Sequence, residues 1–241
     1  MTDLAYLRDA YLQHFDAPVM AVDGSRVELE RTLFYPTGGG QPHDTGTLSW
    51  NDGDSSAAVV EVRKDGEQVW HHLAPGSAVP TVGTTVRGTI DWERRHRLMR
   101  THTAVHVLCG VIWNHWGVSV TGNNMEPLNA RMDFEFDPLP EGFGAQVEQL
   151  VNAELVADRR IEVSFLPHAA AQADPALIRT KVNLIPAHVT EIRIVDIVGL
   201  DRQSDGGTHV RSTGEVGRVR VVKTESKGKG NKRIRIEVLD A

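Results

Sequence analysis

From Asp91 to Trp116 the chain runs without a proline, and the first glycine it meets is Gly110. Before that stretch, short apolar or alternating runs at residues 19–22, 27–29, 59–62 and 86–90 are separated by glycine, proline and aspartate. Such punctuation predicts short strands and turns. The uninterrupted stretch predicts a helix, with Leu98, Val105, Leu108, Val111 and Ile112 on a buried stripe and Gly117 as its stop. The switch of character predicts an α+β chain in two parts. Residues 1–90 form a β-barrel-like domain, and residues 91–241 form an α+β domain with helices packed on an antiparallel sheet.

Further along, strand-like runs fall at 130–136, 161–165, 189–197, 215–224 and 232–239. A second helix is expected over 143–157, with Val147, Leu150, Val151 and Leu155 as its apolar positions. A short helix is expected over 4–15, from Leu4, Tyr6, Leu7, Tyr11, Leu12 and Phe15. At 241 residues and 40% hydrophobic, the chain can bury one large core or two small ones. No apolar run approaches the roughly 20 residues of a membrane span. The acidic start, Met1-Thr2-Asp3-Leu4, does not resemble a secretory leader. A soluble, cytoplasmic, monomeric protein is the default expectation. Cys109 is the single cysteine, which excludes an internal disulfide and a multi-cysteine zinc site.

The net charge of −6 argues against a general nucleic-acid coat, so any nucleic-acid contact must be local. Two basic patches are candidates: Arg94, Arg95, Arg97 and Arg100, and a tail with Lys223, Lys227, Lys229, Lys232, Arg233 and Arg235. Taken alone, the plainer reading of each is a solvated charged face.

The chemistry concentrates at two pairs. His102 and His106 are four residues apart on the expected helix, so they project from one face. Among 11 histidines in 241 residues, about 0.5 such pairs arise by chance, so the spacing alone decides nothing. Asp205-Gly206-Gly207-Thr208-His209 repeats the four-residue spacing, with glycines that permit a tight turn. An Asp that bonds its own backbone at a glycine turn is the plainer reading. Taken together, three imidazoles and a carboxylate form a four-ligand tetrahedral set that suits one zinc ion.

These residues resemble a family. Residues 100–108, Arg-Thr-His-Thr-Ala-Val-His-Val-Leu, are similar to the HTAxHLL helix of alanyl-tRNA synthetase editing domains. That helix also occurs in free-standing alanyl-tRNA editing proteins and, in related form, in threonyl-tRNA synthetases. Residues 201–210 resemble the family's second motif, usually a cysteine followed by GGTHV, and the likeness continues through 213–217 and 225–233. Upstream, residues 34–42 with Asp44 and Gly46 resemble the glycine-rich motif of the longer free-standing form. The resemblance runs from about Leu29 to the end and leaves no room for an aminoacylation domain.

It implies a trans-editing hydrolase, independent of ATP, that deacylates alanine tRNA mischarged with serine or glycine. His102, His106, Asp205 and His209 would bind one zinc per chain, with His102, His106 and Gln41 serving catalysis. Thr37, Gly38, Gly39, Gly40, Gln41 and Thr208 would contact substrate. Arg94, Arg95, Arg97, Lys227, Lys229 and Lys232 would contact tRNA. The departure is Asp205 in place of the usual cysteine, and Cys109, on the first helix, does not replace it. A carboxylate is a harder ligand than a thiolate. Two alternatives remain: another metal-dependent esterase or aminoacyl-tRNA hydrolase, or a tRNA-binding module that has lost its metal.

Overall fold

Ten residues, His14–Asp23, make the first long strand, β2, in which buried Phe15, Ala17 and Val19 alternate with exposed or half-exposed neighbours. In this computed structural model, residues 2–173, 177, 190–228 and 230–240 are described. The chain divides into two units, Met1–His96 and Arg97–Ala241.

In the first unit, β2 turns at Gly24, with φ +59, into β3 (Arg26–Leu29). The remaining barrel strands are β5 (Gly46–Trp50), β6 (Ser55–Asp65), β7 (Gln68–Leu73) and β8 (Thr85–Ile90). They close in the order β2-β3-β7-β6-β5-β8, which leaves no exposed edge. The short β1 (Asp3–Leu4) and β4 (Arg31–Thr32) pair outside the barrel. The interior is apolar, with Phe15, Val27, Leu29, Phe34, Leu48, Val62 and Val86 in one cluster. Gly88 sits opposite Phe15 in the ladder, and a Cβ there would lie 2.2 Å from the Phe15 ring. The ring therefore fills the space that a side chain would take.

The helix expected over 4–15 does not form. One 3-10 turn, Ala5–Leu7, follows β1, and the chain is already extended at His14. The Asp9 carboxylate accepts the Tyr11 N–H at 2.9 Å, a local bond that competes with helix, and Tyr6 is buried edge-on against Tyr35.

Helix α1 (Trp92–Trp116) is as long as expected, and Gly117, with φ +65, ends it by donating to Trp113 O. Residues 101–112 are buried on every side rather than along a stripe, which marks a central helix. The second unit also holds an antiparallel sheet in the order β14-β15-β10-β9. Its strands are β9 (Val120–Glu126), β10 (Asn129–Phe134), β14 (Arg218–Ser226) and β15 (Lys232–Leu239). Helix α2 (Phe143–Val156) buries Phe143, Val147, Val151 and Leu155 and bonds β14 through Asn152 and Glu148. A three-stranded sheet joins β11 (Ile161–Pro167), β12 (Glu191–Ile197) and β13 (Asp201–Ser204), and α3 (His168–Gln172) follows β11. The strand expected at 215–224 begins late, because Thr213–Val216 is a 3-10 turn and Gly217 redirects the chain at φ +86. Val189, expected to open a strand, lies outside the described residues. The α+β class holds, and among the described residues no helix is long and apolar enough to cross a membrane.

Arg95, expected to face tRNA, is wholly buried. Its guanidinium bonds both Asp44 oxygens, Leu33 O at 2.6 Å and Ala10 O at 3.0 Å. Asp44 also accepts the Tyr35 N–H at 2.6 Å, so this pair ties the helix start to the loop before β5. Breaking a buried pair strands one charge, so Asp44→Ala should cost the first unit about 3–5 kcal/mol in urea unfolding. Asp44→Leu with Arg95→Met should recover much of that.

His71 is a second buried polar group. It bonds Thr32 Oγ1 at 2.8 Å and Val27 O at 3.1 Å, and burial pushes its pKa from 6.5 to about 4. The unfolded chain takes up this proton before the folded one does. The first unit should therefore lose stability as pH falls through that window, by up to about 3 kcal/mol. Unfolding curves of parent and His71→Gln across the window should show the slope shrinking in the variant.

Candidate metal centre

His102 and His106 lie one turn apart on the buried part of α1, their ring centroids 5.1 Å apart. The third ring, His209, sits 4.4 Å from His102 and 4.7 Å from His106. It arrives on the loop after β13, which starts at Asp205. Main-chain and side-chain bonds to β12 hold this loop: Asp205 N donates to Arg193 O at 3.2 Å, and Arg193 Nη1 donates to Asp205 O at 2.8 Å.

The turn is tight for a reason other than the one expected. Neither Gly206 nor Gly207 is among the glycines with positive φ. Instead the Asp205 carboxylate accepts the Gly207 N–H at 2.7 Å, closing the turn through its own side chain. The same oxygen, Oδ2, lies 3.0 Å from His209 Nε2. The other, Oδ1, lies 3.6 Å from His102 Nε2 and 3.9 Å from His106 Nε2.

One donor atom from each of His102, His106, Asp205 and His209 lies within 4.8 Å of all the others. Zinc bonds of about 2.0–2.2 Å in a tetrahedron place donors about 3.4 Å apart, so the set fits a small divalent ion after slight contraction. At His102, His209 and Asp205 the protonation states fit as well. Burial holds His102 well below its ordinary 6.5. Burial likewise brings His209 to about 4, against the pull of the Asp205 carboxylate. Burial alone would raise Asp205, but the surrounding imidazoles outweigh it and hold the carboxyl well below 3.8. Burial lowers His106 too, and there the Asp201 and Asp205 carboxylates prevail and raise it. Neutral imidazole and ionised carboxylate are the forms that bind metal.

Three supporting residues were missed in the sequence. Thr103 Oγ1 meets His209 Nδ1 at 3.2 Å and accepts the Val210 N–H at 3.3 Å. Arg193 Nη1 lies 3.7 Å from Asp205 Oδ2, and Asp201 Oδ2 lies 3.6 Å from His106 Nδ1. Thr103 and Asp201 stand inside the two motifs, but Arg193 carried no local signal. Cys109 is buried and accepts from Gln203 Nε2 at 3.4 Å, outside the four-residue set.

The glycine-rich motif belongs to the first unit. Gly38 and Gln41 exchange backbone bonds at 3.1 and 2.8 Å across a turn, with Gly39 at φ +57 and Gly40 at φ +89. Tyr35 donates its hydroxyl to Gly38 O, and exposed Thr37 meets His43 Nδ1 at 3.1 Å. The Gln41 side chain is wholly buried. Thr208, in the second unit, is also wholly buried.

Among the basic residues, Arg97 is exposed and Arg94 bonds His43 O at 3.1 Å. Arg100 is committed to Val216 O, Leu239 O and Asp240. Lys227 pairs with Glu225 at 3.3 Å, and Lys232 bonds Ser226 Oγ and Gly228 O. Lys229 lies outside the described residues.

Two family models match the chain. That of the threonyl and alanyl tRNA synthetase second additional domain covers residues 192–235, and that of the class II (A) tRNA synthetases covers residues 6–94. An alanyl-tRNA editing protein AlaX-M of Saccharolobus solfataricus is 35% identical over 97% of this chain and 98% of its own length. The AlaX-M of Methanosarcina acetivorans is 35% identical over 100% of both chains. An alanine–tRNA ligase of Pyrococcus abyssi is 35% identical over 97% of this chain and 25% of its own.

The cluster should take up about one zinc per chain. Asp205→Ala should weaken binding by more than the roughly 10–100-fold that losing an outer partner costs, and Asp205→Cys should tighten it. Competition against a chromophoric chelator measures both. Equal affinity in all three proteins would leave a three-histidine site with Asp205 outside it.

Proposed function

The chain belongs to the alanyl-tRNA editing proteins, and on that premise we propose that it is a free-standing, metal-dependent deacylase for alanine tRNA mischarged with serine or glycine. The observation that carries this reading is the convergence of His102, His106, Asp205 and His209 on one buried point. The family is an editing one, the bond to be broken is the ester between the amino acid and the terminal ribose, and a buried four-donor cluster suits that hydrolysis.

With one of the four donors loosened or coordination expanded, zinc held there would supply a Lewis acid that polarises the ester carbonyl and lowers the pKa of bound water to about 7. The chain's own residues do the rest. His102 and His209, kept neutral by burial, offer lone pairs without first losing protons. Asp205 supplies the anionic donor, and Arg193 and the Gly207 N–H keep it in place. In the first unit, buried Gln41 exchanges backbone bonds with Gly38 and closes the glycine turn. Exposed Arg97, with Lys227 and Lys232, offers charge to tRNA phosphates.

Selectivity has a physical demand. Alanine must survive while larger serine is cleaved, so size alone cannot discriminate. A buried polar partner for the serine hydroxyl can, because alanine leaves it unpaired. A cavity of about 30 Å³ beside His106 supports this reading, since Asn123 and Gln203 line it together with Val105, Cys109, Val120 and Met132. Glycine lacks the hydroxyl, and its acceptance rests on the family likeness alone.

Purified protein should hydrolyse seryl-tRNA of the alanine type faster than alanyl-tRNA, by the roughly 5- to 150-fold that 1–3 kcal/mol supplies. His102→Ala should abolish turnover, whereas Gln41→Ala should keep the metal and change rate or selectivity. Initial rates of ester loss and metal content, measured on the same preparations, check this. Equal cleavage of alanyl- and seryl-tRNA would end the editing proposal, because such an enzyme destroys the product it should protect.

A further inference from the structure

Asp201 opens β13 with its side chain wholly buried. A buried carboxylate is costly unless something nearby needs it. Two groups face it. Gln203 Nε2 donates to Oδ2 at 2.5 Å, and His106 Nδ1 lies 3.6 Å from the same oxygen. That second contact is electrostatic, longer than a hydrogen bond, and His106 Nδ1 is buried with no hydrogen-bond partner. The far side of the ring, Nε2, faces Asp205 Oδ1.

The helix is shaped to admit this carboxylate. Gly110 follows His106 by one turn, in a helix interior where glycine is unfavourable. A Cβ at Gly110 would lie 2.8 Å from Asp201 Cβ and 3.1 Å from Leu200 Cγ. One turn further on, Asn114 Nδ2 donates to Leu200 O at 3.1 Å. His102, His106, Gly110 and Asn114 thus form one stripe at four-residue intervals. Its first half bears candidate ligands, and its second half seats the turn that carries Asp201.

We propose that Asp201 is the positioning residue of the cluster: it holds His106 with its proton on Nδ1 and so presents Nε2 to the metal. A carboxylate behind a ligating imidazole fixes tautomer and ring orientation and makes the ligand more basic. Thr103 Oγ1 occupies the corresponding place behind His209. The inference rests on the metal-binding reading above.

The test compares parent, Asp201→Ala, Asp201→Asn and Gly110→Ala. Two quantities are read: Co2+ affinity with its visible spectrum, and the His106 tautomer in metal-free, ¹⁵N-histidine-labelled protein at alkaline pH. Asp201→Ala should bind Co2+ about 10- to 100-fold more weakly, with a spectrum showing altered coordination, and should move the His106 proton off Nδ1. Asp201→Asn, whose Oδ1 still accepts from Nδ1–H, should keep the tautomer and lose less affinity. Gly110→Ala, which pushes the turn away, should follow Asp201→Ala. If Asp201→Ala fails to fold, the other two variants still decide the matter.

A parent that takes up no Co2+ overturns the metal reading and this inference together. A parent that binds, while Asp201→Ala matches it in affinity and tautomer, overturns this inference alone. Weakened binding with the tautomer unchanged also overturns it, since Asp201 would then serve packing only.

Discussion

The interior of the second unit depends on one anion. Three imidazoles and the Arg193 guanidinium are buried around the Asp205 carboxylate. A guanidinium buried among imidazole rings in a low-dielectric space is costly unless an anion lies near it. Each Asp205 oxygen has a task. Oδ2 closes the turn through the Gly207 N–H and meets His209, and Oδ1 faces His102 and His106. Burial drives His102 and His209 neutral, which lets three rings share one point without mutual repulsion.

Burial of polar groups is not by itself a mark of function in this chain. In the first unit, Arg95 and His71 are as deeply buried as the cluster, and their partners explain them fully as packing and tethering. What separates the cluster is convergence, because four donor atoms meet within 4.8 Å. The polar residues of α1 follow from that. Thr103 backs His209, and Thr101 Oγ1 accepts the Leu128 N–H at the start of β10. A helix buried on every side can hold so many polar groups only if its surroundings answer each of them.

The parts of this arrangement that local geometry sets were legible in the sequence. Helix periodicity joins His102 to His106, and a short turn joins Asp205 to His209. The long helix, its glycine stop and the last strand were readable from their uninterrupted patterns. Strands β5, β7 and β9 were not, since Gln68–Leu73 contains two adjacent histidines and Val120–Glu126 carries Thr, Gly and two Asn. Their strand character comes from neighbours in the sheet rather than from propensity. Arg95 read as surface because its partner Asp44 lies 51 residues away. Asp201 and Arg193 escaped for the same reason, since their roles exist only once β12 and β13 are laid beside α1.

The carboxylate at residue 205 also changes how the site must be built. A thiolate offers one soft atom to a metal and little to a backbone N–H. Asp205 offers two oxygens, and it spends one on closing its own turn while the other faces the helix histidines. Loop conformation and ligand position are therefore the same structural fact here. A harder donor gives zinc less intrinsic affinity. A loop already closed, with Arg193 bonded to its main chain, returns part of that loss, because less order must be imposed when the ion binds. Exchanging the carboxylate for a thiolate gains softness and forfeits the bond that shapes the turn, so the net tightening should fall short of what ligand softness alone would give.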